Sequence, residues 1–187
     1  MTDKTKIPDK QEELQRIGKC AMDNIREMVA ALECDYDRLE ELRGERDSYE
    51  VDEDENAAPD GPGYKNDAEA WAAENPEDAE ELRQLEEDAG DCKSRDDAEE
   101  RIHEDPLSLQ FRSDWCASKE EMEPAEYELL LSTGGPATRI IGEVRDGEAH
   151  SARLEAQDWF MPWIEYVTTG SDHEALLTYA RCFCMGS

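Results

Sequence analysis

The sequence predicts an α+β fold, on three observations. In the first quarter, Leu14, Ile17, Ala21, Ile25, Met28, Leu32, Leu39 and Leu42 recur at steps of three, four or seven, the spacing of one helix face. In the last eighty-odd residues, short runs rich in β-formers alternate with turn signals, as in an antiparallel sheet. Between them lies a carboxylate-rich stretch with helix-start and helix-stop signals and few bulky apolar residues. The expected architecture is a long N-terminal helix and an acidic helical middle region, followed by a 4–5-stranded antiparallel sheet with a C-terminal helix.

Taken in order, residues 1–8 read as a polar tail ending at Pro8. A helix is expected over roughly 9–46, interrupted near Cys34–Asp37, where Asp35 breaks the apolar stripe, and ending near Gly44. So narrow a stripe needs a cover, which is either the second half of the same chain or another copy in a coiled coil. Residues 50–66, EVDEDENAAPDGPGYKN, read as an acidic Pro/Gly linker. Asn66 or Asp67 caps a short helix whose apolar anchor is Trp71. Asn75-Pro76-Glu77-Asp78 starts the next helix, with Leu82 and Leu85 inward, and Gly90 ends it. Ser94 caps a third, over 95–103, with Ala98 and Ile102 inside.

After Asp105-Pro106, Leu107, Leu109 and Phe111 alternate with polar residues and predict a strand. Further strands are expected at Tyr127–Ser132, Ala137–Val144, Ala152–Gln157 and Trp163–Val167. Gly134-Gly135-Pro136 and the Asp-Gly of Arg145-Asp146-Gly147-Glu148 supply turns. A last helix opens at Asp172 and places Ala175, Leu176, Tyr179, Ala180 and Phe183 on the sheet. The expected segments are 1–49 helical, 50–66 linker, 67–104 acidic helical, and 105–187 sheet plus helix.

Composition limits function. Of 187 residues, 50 are acidic and 20 basic, a net charge of -30, so phosphate-binding is excluded as a default and basic surfaces become the natural partners. Direct nucleic-acid binding and attachment to an anionic membrane are therefore not expected. No apolar run approaches the ~18 residues of a membrane span. The opening MTDKTKIPDKQ has no signal-peptide pattern, so six cysteines read as reduced thiols of a cytosolic protein. The spacing of the carboxylates carries the argument further. Duplex DNA presents about one charge per 1.7 Å of axis, and a helix rises about 5.4 Å per turn. One or two acids per turn on two neighbouring helices approach that density. Pairs such as Glu40-Glu41, Glu80-Glu81, Glu86-Glu87, Asp96-Asp97 and Glu99-Glu100 suit the arrangement. The plainer reading of the same residues is a solvated or salt-adapted face.

DPLSLQFRSDW, YELLLSTGGPATRIIGEV, ARLEAQDWFMPWIEY and LLTYARCF, with ENPEDAEELRQLEEDAGDC upstream, resemble a family of small uncharacterised acidic proteins encoded by phages and prophages. The likeness runs from about residue 67 to the end, departing at Phe160-Met161, where the family pattern has a small residue. What the resemblance implies is a setting, a phage product in the cytoplasm of a bacterial host, and no catalytic residue is carried over. The expectation is then a non-catalytic inhibitor of the anti-CRISPR or anti-restriction type. Its acidic surface would occupy the basic nucleic-acid groove of a host complex, a CRISPR–Cas effector before a restriction enzyme. The residues expected to carry it are Asp35, Asp37, Glu40, Glu41, Asp52, Glu53, Asp54, Glu55, Glu77, Asp78, Glu80, Glu81, Glu86, Glu87, Asp88, Asp96, Asp97, Glu99 and Glu100. The alternative is an interaction or assembly protein that uses the N-terminal helix, in a homodimer or otherwise, and the Trp-rich sheet end, with acidity serving solubility.

Other candidates weigh less. Ser132-Thr133-Gly134-Gly135-Pro136 could cradle a phosphate, but no Lys or helix follows, and a hairpin turn is the better reading. Cys20, Cys34, Cys92, Cys116, Cys182 and Cys184 contain no Cys-x-x-Cys pair, and His103, His150 and His173 are far apart, so neither zinc nor any other cofactor is expected. Asp52-Glu53-Asp54-Glu55 lacks the alternation and glycine of a calcium loop. Trp159, Trp163 and Tyr166 read as core or as a partner-binding patch.

Overall fold

Residues 6–52, 63–118 and 122–183 are described by the computed structural model. Among them six helices and six strands follow the expected order: α1 (Lys6–Glu33), α2 (Tyr36–Ser48), α3 (Asp67–Glu74), α4 (Pro76–Ala89), α5 (Arg95–Glu104), β1 (Ser108–Ser113), β2 (Pro124–Ser132), β3 (Ala137–Arg145), β4 (Glu148–Ala149), β5 (Arg153–Gln157), β6 (Ile164–Glu165) and α6 (Gly170–Arg181). The fold class is α+β. By packing, the chain divides into one unit made of residues 1–29 and 96–187 and a second made of 30–95, cuts that differ from the segments expected from sequence. The first cut falls inside α1, between Val29 and Ala30.

In the first unit the sheet is antiparallel throughout, in the order β1-β2-β3-β5-β6, with β4 beside β3. Tyr127, Leu129, Ile140 and Leu154 point to its buried side, where Leu176, Tyr179 and Ala180 of α6 are also buried. Asp146 (φ 53°) and Gly147 (φ 79°) close the β3–β4 hairpin, both residues left-handed as a type I′ turn requires. Between β2 and β3 the glycine-rich stretch is a hairpin turn with Gly134 at φ 113° and Gly135 at φ 107°. A Cβ on Gly135 would run into the indole of Trp159, so the glycine is there for close approach as well as for backbone geometry.

Helix α1 folds back on the second half of its own chain. Gln15 Nε2 donates to the carbonyl of Glu165 at 2.9 Å, and the Val167 amide donates to Gln15 Oε1 at 3.0 Å. Gly18 lies against Tyr166, whose Cβ would be 2.8 Å from an added Cβ on the glycine. Arg26 pairs with Asp172, a carboxylate whose side chain is 1% exposed. The buried residues of α1 are Leu14, Gly18, Met22, Ile25, Met28, Val29, Ala31 and Leu32, which differ from the expected stripe in that Ile17 and Ala21 are only half-buried. Gly18 hid the true line, because an apolar-periodicity count passes over a residue without a side chain.

Other boundaries moved for physical reasons. Helix α1 begins at Lys6 and includes Pro8, tolerated in a first turn whose N–H groups have no helical partner. The expected break falls at Cys34–Asp35, and the Asp35 side chain accepts from the Arg38 amide to cap α2. Asn66 caps α3 as expected, but Asn75 does not cap α4 with its side chain; its Nδ2 instead donates to the Trp71 carbonyl at the end of α3. Helix α6 starts two residues before Asp172, because Thr169 and Asp172 form a reciprocal capping box. Phe111 and Leu107, two of the residues whose alternation predicts the strand, are 45% and 59% exposed, because β1 is the sheet edge and only part of its apolar side is covered.

Candidate functional site

The second unit carries the acidity. Residues 30–95 hold 24 acidic and seven basic side chains, a net charge of -17 from about a third of the chain. Its core is small: Leu39 and Leu42 from α2, Trp71 from α3, Leu82 and Ala89 from α4, with Cys34, Tyr36, Tyr49 and Leu85 packed around them. Acidic residues fill the first turns of α2, α3 and α4, where the unpaired N–H groups favour negative charge. Carboxylates also hold the residues that follow α2. Tyr49 Oη donates to Glu74 at 2.7 Å, which with partial burial pushes the phenol up to about 12, and the Val51 amide donates to Asp67 at 3.1 Å.

Every arginine on α2 and α4 is held by carboxylates. Arg38 reaches Asp78 (2.9 Å), Glu81 (2.9 Å) and Glu41 (2.9 Å). Arg43 and Arg46 converge on Glu86 at 3.1 and 3.5 Å, and Arg46 also meets Asp47. Arg83 lies between Glu80 and Glu87 on its own helix at 2.7 and 3.0 Å. The hydrogen bonds that Arg38 donates to Glu81 and Glu41 raise its pKa, those that Arg83 donates to Glu80 raise that of Arg83, and Arg83 in return holds Glu80 below the ordinary carboxylate range. Four cations thus engage seven carboxylates, which ties α2 to α4 and leaves the face negative. Asp37, Glu40 and Glu77 make no ion pair among the described residues, and Asp88 accepts only from Gln84.

The sequence-predicted set is therefore split three ways. Asp35, Asp37, Glu40, Glu41, Asp52, Glu77, Glu80, Glu81 and Glu87 are exposed in the second unit, with Asp78, Glu86 and Asp88 half-buried there. Asp96, Asp97, Glu99 and Glu100 are exposed on α5, within the first unit. Glu53, Asp54 and Glu55, with most of the linker and Cys184, lie outside the described residues. Sequence reasoning missed the arginines as organisers. The i−3 and i+4 carboxylates around Arg83 were readable; the pairs of Arg38 and Arg43, about forty residues apart, were not.

The remaining candidates are placed as follows. Cys20, Cys34, Cys92 and Cys116 are free thiols, the Cys182 thiol donates to the Thr178 carbonyl at 3.5 Å, and burial together with Asp88 and Asp35 pushes the Cys34 thiol up, away from reactivity. Among the described residues no group of three or more His, Cys, Asp or Glu side chains is set to hold a metal, and no helix is long and apolar enough to cross a membrane. The aromatic trio is not one cluster. Trp159 (62% exposed) pairs with the fully exposed Phe160 at 6.3 Å; Trp163 lies under the Arg139 guanidinium at 4.2 Å; Tyr166 is on Gly18. Arg139 is itself held by Glu155 at 2.7 Å and by Glu128 on the open sheet face. The chain matches no protein-family model, no curated protein and no solved structure.

Proposed function

We propose that this protein is a non-catalytic inhibitor whose second unit imitates the charge of a nucleic acid and blocks a Lys/Arg-lined groove. The target class is a nucleic-acid-binding defence complex of a bacterial host, a CRISPR–Cas effector ahead of a restriction enzyme, a choice that rests on the phage-family resemblance of residues from about 67 onward. The observation that supports the reading best is the distribution of charge in the second unit. Carboxylates project from helices pinned to one core, and the arginines of α2 and α4 are all engaged internally, so what those two helices leave for a partner is negative. Fixed carboxylates facing a basic groove would displace counterions from that groove, as DNA does, without the cost of ordering flexible side chains.

The test is competition. A purified effector loaded with labelled duplex is titrated with this protein across a salt series. The reading requires displacement of the duplex and a linear fall of log affinity with log salt. Binding insensitive to salt, or no displacement, would sink it. The variants must spare the ion-paired carboxylates: reversing Glu80, Glu81, Glu86 and Glu87 would break the contacts of Arg38, Arg43, Arg46 and Arg83 and confound charge with folding. Neutralising Asp37, Glu40 and Glu77 leaves those contacts intact.

A further inference from the structure

The two edges of the sheet are treated differently. At β6 the strand is two residues long, and Gln15 of α1 turns its amide onto the backbone, donating to Glu165 and accepting from Val167. That edge is closed by a side chain standing in for a strand. At the other end β1 runs six residues, Ser108–Ser113, and among the described residues pairs only with β2. Its register is regular until the shift at Arg112/Ser113, and it contains no proline or lysine of the kind that blunts an edge. Alternate N–H and C=O groups of any edge strand point away from the sheet.

Its side chains add a second observation. Leu109 and Phe111 face Leu129 and Tyr127, both buried, so they belong to the core side of the sheet. Yet Phe111 is 45% exposed, and Leu107, one step before the strand on the same alternation, is 59% exposed. The apolar side of the sheet therefore extends past its present cover by one strand's width. A further strand placed there would seal Phe111 as it took up the open backbone groups. Charge selects the occupant. A second copy carries the same net charge of -30 and is repelled, and Arg112, the one cation of β1, is already paired with Glu126.

We propose that β1 is a strand-addition site for an extended segment of a basic partner protein, with apolar side chains at alternate positions to cover Leu107 and Phe111. This goes beyond the acidic-face reading and does not depend on it, since the site lies in the first unit.

The experiment uses the full chain and a synthetic peptide of about nine residues alternating Lys with Val or Leu, long enough to span β1. Residue-resolved hydrogen exchange is the readout, because a cationic peptide can also meet carboxylates elsewhere. Expected is a slowing of about tenfold or more at β1 amides on peptide addition. The same peptide N-methylated at alternate residues, unable to complete the ladder, is expected to leave β1 unprotected, as is an F111K variant with unchanged circular dichroism. The D37N/E40Q/E77Q variant is expected to keep the protection. The proposal is overturned if β1 exchange does not change while the peptide binds, if N-methylation makes no difference, or if β1 becomes protected by raising the protein concentration alone, which would assign the edge to a second copy.

Discussion

Arg38 holds Glu81 through two of its nitrogens, Nε at 3.2 Å and Nη2 at 2.9 Å, and so joins the first turn of α2 to the second turn of α4 across 43 positions of the chain. An R38A variant removes this clasp and leaves Asp78, Glu81 and Glu41 facing one another without their cation. The expected outcome is a lower Tm for the second unit at low salt, with the deficit shrinking as salt screens the freed repulsion. Melts of both proteins at low and high ionic strength check it; a deficit that grows with salt would contradict the account.

Charge neutralisation separates the mimic from a merely soluble surface. The D37N/E40Q/E77Q protein is expected to fold, to melt slightly lower because Asp37 and Glu77 sit in first turns where a negative charge is worth about 0.3–1 kcal/mol, and to bind its target more weakly. The slope of log affinity against log salt should flatten by roughly one for each carboxylate that had met a phosphate-binding cation. An unchanged slope would remove these three residues from the interface.

The small core of the second unit tolerates little. Leu42 is fully buried between α2 and its neighbours, so L42A is expected to cost about 2–5 kcal/mol. Denaturant unfolding followed at Trp71 measures it. The same reasoning shows why Leu32 and Leu39, suited on sequence grounds to testing an interface through the N-terminal helix, cannot serve: both are buried, and polar substitutions there would damage folding before they reported on binding.

Acid should loosen the first unit through Asp172. Burial opposes its ionisation, but the Thr169 amide and hydroxyl and the Arg26 guanidinium more than offset this, and its pKa lies below the ordinary value. A depressed carboxylate contributes stability that is complete above the unfolded value of about 3.9 and is lost as pH falls through the folded one. D172N is expected to lower stability near neutrality by about 1 kcal/mol through loss of the charged cap, and to show a shallower fall with acid than the native chain. Tm measured against pH for both proteins decides the point.

The turn between β2 and β3 makes a paired prediction. G135A meets both a left-handed backbone and the Trp159 indole, and should cost about 1–3 kcal/mol. Adding W159A removes only the steric part, so the double variant should recover some of the loss. No recovery would mean that backbone geometry accounts for all of it.

How far the sequence could be read follows from the range of each interaction. Local chemistry was legible: Asn66 as a cap, Gly90 at φ 54° after α4, and the Asp146-Gly147 turn all follow from residues within four positions. Strand alternation gave the facing of Leu109 and Phe111 but not the exposure of Phe111, because alternation tells which side a residue takes and not whether anything covers it. The candidate surface was legible as composition. Its organisation was not, since Arg38 with Glu81 and Arg43 with Glu86 are tertiary pairs, and Arg and Glu are too common here for any one pairing to stand out.

The clasp of Gln15 on the strand at Glu165 spans 150 positions. On a ribosome, α1 emerges with Leu14, Met22 and Ile25 bare and must wait for the strand at Glu165 before its seat exists. The stretch from 30 to 95, contiguous and with its own centre, has no such delay. Synthesis should therefore yield the negatively charged helical part first, with the sheet-bearing part closing around α1 only once its last strand has emerged.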